Sequence, residues 1–258
     1  MLVLIYFFGE TIPPKKKNIA EKADTAASVT KSITTQDILN TYKAKLTPFQ
    51  LSYVNSLEHS VVRGDIKNQQ VNSYRQLADF WRDSVRDGFL AYAYYSGETA
   101  KLENSEKKLN FAAQLFLENL RGQDDAALKN WMANSAKELF ERSLQLNPNN
   151  DSSRIGLGAC YIFGSSASSP QEMMQGIQRI LEVANRDSTN WYAQFMLGLG
   201  GVVSGQFDKA IERLTRVVQH QPGNVEAILT LADVEAKKGN KKEIKIEKFS
   251  INEKQNDK

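Results

Sequence analysis

One spacing constrains this chain more than any other feature. Leu197-Gly198 is followed by Gly205, Phe207, Ala210, Leu214 and Val217, and then by Pro222. Gly198 has no side chain, so a second helix can approach its backbone. Ala210 offers the same from that second helix, with Leu214 and Val217 one and two turns further along the same face. Gly205 falls between the helices, where a positive φ turns the chain, and Phe207 packs back over the turn. Pro222 has no N–H to donate and stops the second helix. The spacing predicts a tight antiparallel helix pair from Trp191 to Asn224.

The pair recurs. Before it stand Leu157-Gly158 and Tyr161, then Gly176, Ile180 and Val183, with Asp187-Ser188 at the stop. The extra length of this copy falls in the turn-rich stretch from Gly164 to Pro170, which reads as a lengthened loop. Upstream, Ala136, Phe140, Ser143 and Pro148 repeat the pattern of a second helix. Downstream, Ile228, Leu231, Ala232 and Gly239 repeat that of a first helix.

A period of about 34 residues with Leu-Gly, Ala, an aromatic and Pro in register resembles the tetratricopeptide repeat. The resemblance covers roughly residues 124–240, and it is read as that of a bacterial member of the family. It implies an all-α, helical-hairpin solenoid, in which stacking buries the core and a curved inner surface is left to hold another protein. The fourth copy departs after Gly239-Asn240. Ile244 stands where the family has Ala, and a Lys/Glu-rich run leads into the polar tail Ile251–Lys258. A short, partly ordered helix capping the stack is expected there.

Three regions follow. Residues 1–34 read as an apolar start plus a flexible linker, and residues 35–123 as helices that continue the stack as degenerate repeats. Residues 124–258 are the repeat array with its divergent end. Thr47-Pro48-Phe49-Gln50 is a helix start of capping-box type, with Leu51, Val54, Leu57 and Val61 on one face behind it. No segment sustains period-two alternation, so no sheet is expected.

Met1–Phe8 is wholly apolar and is followed by Gly9, Pro13-Pro14 and Lys15–Lys17. Eight residues cannot cross a bilayer, which takes about 20, and the segment lacks the basic start and cleavage site of a secretory signal. It reads as the end of a membrane helix, which would anchor the protein at a bacterial cell envelope. The alternative is a segment tucked against the array of a cytoplasmic protein.

Chemistry is sparse. His59 and His220 have no Cys, Asp or Glu at ligand spacing, so no metal is expected. Cys160, the single cysteine, lies in an apolar helix and reads as a buried small hydrophobe. Gly156-Leu157-Gly158 and Gly198-Leu199-Gly200-Gly201 complete no nucleotide loop. Asp124-Asp125 sits where acids favour a helix N-terminus. The chain reads as no enzyme and as using no cofactor. A net charge of +3 is too small to imply a nucleic-acid surface.

A protein or peptide is therefore the expected partner, with oligomeric state left open. The resemblance puts the partner groove on the first helix of each repeat, turned away from the Leu-Gly packing. That face offers Ser152, Ile155, Ala159, Ile162 and Phe163, then Tyr192, Phe195, Leu199 and Val202, then Glu226, Leu229, Asp233 and Lys237. One subset of the family grips a terminal carboxylate with Lys and Asn at such places. Here those slots hold Ile155 and Ala159, Phe195 and Leu199, or Leu229 and Asp233, which argues against such a clamp. An apolar, aromatic-edged groove is expected instead, unless the protein's own N-terminal helices cover these residues. The alternative to a recruiting scaffold is a structural subunit packed permanently in a complex or homo-oligomer. A permanent interface should be broad and strongly apolar, a recruiting groove smaller with a polar rim.

Overall fold

The computed structural model describes residues 33–63, 66–164 and 169–239. The apolar start Met1–Phe8, most of the expected linker, most of the long loop before Pro170 and the Lys/Glu-rich tail lie outside them. Every described residue lies in one compact unit, Lys31–Lys258.

Among the described residues all regular elements are helices: α1 (Thr35–Lys43), α2 (Pro48–Arg63), α3 (Lys67–Asp83), α4 (Phe89–Glu103), α5 (Glu106–Leu120), α6 (Ala126–Leu146), α7 (Asp151–Gly164), α8 (Pro170–Arg186), α9 (Trp191–Val203), α10 (Phe207–His220) and α11 (Val225–Lys238). Their starts are chemically specified. Thr34 and Asp37 exchange side-chain and backbone bonds at the head of α1. Thr47 and Gln50 do the same ahead of α2, as their spacing predicts. Asp125 accepts from the Ala127 and Leu128 amides at 2.8 and 3.0 Å and caps α6. The first helices α7, α9 and α11 begin alike. Asn150, Asn190 and Asn224 each accept the backbone N–H three residues on, at 2.9, 3.0 and 3.0 Å.

Consecutive helices pair as hairpins: α3 with α4, α5 with α6, α7 with α8, and α9 with α10. The first helices also touch in succession, α5 to α7, α7 to α9 and α9 to α11. The fold is an all-α helical-hairpin solenoid. The residues of the repeat spacing lie where that spacing needs them. Ala136, Phe140, Ala210 and Leu214 are fully buried, and Leu157 and Leu197 are buried beside them. A Cβ added to Gly158 would lie 2.7 Å from both the Gly176 carbonyl oxygen and Ile180 Cγ1. Gly205 turns the chain between α9 and α10 with φ 71°. Pro148 and Pro222 stand exposed in the turns after α6 and α10. Tyr161 packs outward, its ring under the Lys137 ammonium of α6 at 4.3 Å and facing Arg179 of α8.

One core cluster runs from Ile38 through α4 to α11, ending at Val234. A smaller one gathers Leu39, Val54, Leu57, Leu77, Trp81 and Tyr95 at the N-terminal end. Residues 123 and 124 lie in the turn between α5 and α6, which pair as one hairpin.

Candidate functional site

The candidate site is built on α5. Glu106, Asn110, Gln114 and Glu118 recur every four residues and form a polar ladder down one face. Its upper rungs are taken by the start of α7. Asn150 donates to Glu106, Ser153 Oγ donates to Asn110 Oδ1 at 3.0 Å, and Asn110 Nδ2 donates to Ser152 Oγ at 3.4 Å. The buried Ser143 and Ser153 hydroxyls meet at 2.8 Å beneath them. Gln114 reaches further. Its amide nitrogen donates to Ser152 Oγ at 3.5 Å, and its oxygen accepts from the Tyr192 hydroxyl at 3.3 Å. Both bonds are long, at the edge of useful geometry.

Below Gln114 the helices part and leave a cavity of about 460 Å³. Leu117, Glu118 and Arg121 close it on the α5 side, and Ser152 contributes from α7. Tyr192, Phe195 and Met196 form its α9 side, and Asn224 and Glu226 its α11 side. Arg121 Nη2 meets Glu226 Oε1 at 2.5 Å, an ion pair that joins the end of α5 to the start of α11. The Arg121 guanidinium also lies 5.9 Å from the Phe163 ring centroid. Burial pushes the Tyr192 phenol up to about 12, so it is a neutral hydroxyl at any physiological pH.

The expected groove residues divide. Tyr192 and Phe195 line the cavity, although Phe195 is only 6% exposed. Ile155, Ala159 and Ile162 are at most 2% exposed and present no surface. They lie between layers instead: Ile162 Cδ1 is 3.4 Å from where Gly200 would carry a Cβ, and α5 and α9 both pack on α7. Leu199 is buried, Val202 half-buried and Leu229 exposed. Facing the aromatic side of Tyr192 and Phe195, α5 lines the cavity with Leu117 and with the amide and charge of Gln114, Glu118 and Arg121. Gln114, Glu118 and Arg121 escape the repeat spacing because α5 carries no Leu-Gly pair. The four-residue spacing of the ladder was the available signal.

Elsewhere, Cys160 and His220 are held by packing. Cys160 is fully buried and its thiol is pushed up to about 12 by that burial. His220 stacks on Trp191 with centroids 4.1 Å apart. Among the described residues no group of three or more His, Cys, Asp or Glu could hold a metal ion. No helix among them is long and apolar enough to cross a membrane.

Residues 204–243 match the tetratricopeptide repeat family, a stretch that holds α10 and α11. No curated protein matches the chain. Among solved structures, the chain is similar to the crystal structure of MamA protein, at 18% identity over 67% of this chain and 84% of that one, with a TM-score of 0.43.

Proposed function

We propose that this protein is a non-catalytic interaction scaffold whose partner, a protein segment, enters the cavity bounded by α5, α7, α9 and α11. The observation that carries this is the meeting of four first helices on one cavity, with an aromatic side at Tyr192 and Phe195 and a polar rim at Gln114, Arg121 and Glu226. A rim of that kind favours recruitment over permanent packing, which would need a broad apolar face. Repeats of this family commonly hold partners on their inner surface, and the family match at residues 204–243 supports the same use here.

The test is site-specific photo-crosslinking in cells. A photoreactive side chain at Glu118, which is exposed at the rim, should give a discrete protein adduct, and one at the exposed Gln219 of α10 should not. Equal labelling at both positions, or none at Glu118, would remove the groove as the site.

The membrane reading belongs to the same proposal. The run Met1–Phe8, ahead of Pro13-Pro14 and three lysines, is the support for an envelope anchor. Fractionation of the native cells, probed with an antibody raised against residues 33–239, decides it. Recovery of the protein in the soluble fraction alone would sink the anchor.

A further inference from the structure

Resting on that groove, we infer that its occupant is an extended peptide segment carrying a lysine or arginine, whose cation takes the place of Arg121 at Glu226. Size limits the occupant first. A space of about 460 Å³ lies in the range of ~300–1,000 Å³ that takes a small ligand or a few side chains of one segment, not a folded domain. An extended segment keeps its backbone N–H and C=O groups free, and Gln114, Ser152 and Tyr192 meet it with hydroxyl and amide groups whose present bonds are long enough to exchange.

Charge then selects among extended segments. The mouth holds two carboxylates, Glu118 and Glu226, and one guanidinium, Arg121. The Arg121–Glu226 pair links residues far apart in the chain, and its side chains are 26% and 52% exposed, so it opens at little cost. Glu118 is exposed and takes part in no ion pair among the described residues. It stands three residues before Arg121, and helical geometry continues through Arg121, so the two are neighbours on one face.

A basic ligand leaves every charge paired: the ligand's cation on Glu226, and Arg121 turned back to Glu118. An acidic ligand that drew Arg121 away would leave Glu118 and Glu226 both unpaired beside a third carboxylate. The ion pair is thus a latch that a basic side chain opens and an acidic one does not.

The experiment uses the full chain and three fluorescently labelled nine-residue peptides of one alternating apolar–polar sequence, differing only in a central lysine, glutamine or glutamate. Fluorescence anisotropy should rank them lysine, glutamine, glutamate, with at least tenfold between the ends. Glu226→Gln should lower lysine-peptide affinity to that of the glutamine peptide and leave the latter unchanged. Arg121→Gln, which removes the internal competitor, should raise lysine-peptide affinity. Tighter binding of the glutamate peptide, a lysine preference that survives Glu226→Gln, or binding of none of the three overturns the assignment. So does self-association of the chain that Glu226→Gln abolishes, which would place a second copy in the groove. A crosslink at Glu118 without any charge preference among the peptides would overturn the charge assignment alone and leave the groove as the partner site.

Discussion

Where α7 and α8 cross, backbone meets backbone. An added Cβ at Gly158 would stand 2.7 Å from the Gly176 carbonyl oxygen, an atom that cannot move without moving α8. At Gly198 the added atom would meet Leu214 Cγ at 2.9 Å, part of a side chain that can rotate. Gly158→Ala should therefore cost more stability than Gly198→Ala, which yields to repacking, with overpacking worth about 1–3 kcal/mol. Urea midpoints of the two variants check the order, and equal midpoints would contradict the crossing geometry. Buried acids give a second residue-scale prediction. Burial raises the Cys160 thiol from 9.0 and the Tyr192 phenol from 10.0, each to about 12, and raises Tyr94 and Tyr95 above their ordinary values as well. The unfolded chain then gives up these protons first, so their contribution is complete below about pH 9 and is lost as pH rises toward 12. Melting temperature should hold level on the neutral side and fall through that window, and Tyr192→Phe should flatten part of the fall. A profile unchanged by that substitution would show the phenol to be solvated.

The elements were legible wherever a residue has one dominant physical task. Ala210 and Gly198 must be small because two helices touch there, and Pro222 must end a helix, so α9 and α10 could be read directly. Thr47 and Gln50 announced α2 because reciprocal capping uses both side chains. The groove was less legible because its residues serve two neighbours. Ile155 and Ile162 are apolar on a face that the repeat pattern leaves open, yet the preceding and following layers close over it. Only knowledge that α5 is itself a first helix reveals that closure, and α5 carries no Leu-Gly pair. The matching caps were also missed. Asn150, Asn190 and Asn224 each follow a short turn and each start a first helix, a recurrence as regular as the packing residues. Asn190→Ala should cost about 0.5–2 kcal/mol by leaving the Ala193 amide unpaired. Asn190→Ser should restore most of it. Circular dichroism melts of the pair check this, and equal loss in both would mean that the side chain acts through something other than the cap.

At the scale of the whole molecule, the two core clusters are joined by α1 and by α4, which places Leu90, Ala93 and Ala100 in one and Ala91 and Tyr95 in the other. Ile38 is buried in the main cluster and Leu39 in the N-terminal one, so adjacent residues of one short helix enter both. Tyr42 packs against both as well. The helix is pinned at its two ends by polar bonds: Trp131 Nε1 donates to Thr35 Oγ1 at 3.0 Å, and Lys43 pairs with Glu58 at 2.5 Å. Glu58 in turn accepts from the Tyr95 hydroxyl, which ties α2 to α4. Each buried aliphatic side chain contributes about 1.5–3 kcal/mol. Loss of Ile38 and Leu39 together is therefore comparable with a good part of a typical net stability of about 5–15 kcal/mol. Deletion of residues 1–32, which spares the Thr34 cap, should leave helical content and melting temperature nearly unchanged. Deletion of residues 1–46 should lower the melting temperature sharply and broaden the transition, because α2 and α3 then keep their link to the array through α4 alone. Calorimetry separates the outcomes. A single sharp transition at the parent temperature after the longer deletion would mean that the α3–α4 contact alone couples the clusters. A large loss after the shorter deletion would mean that residues before Ile33 belong to the core, and would count against their reading as a linker and anchor.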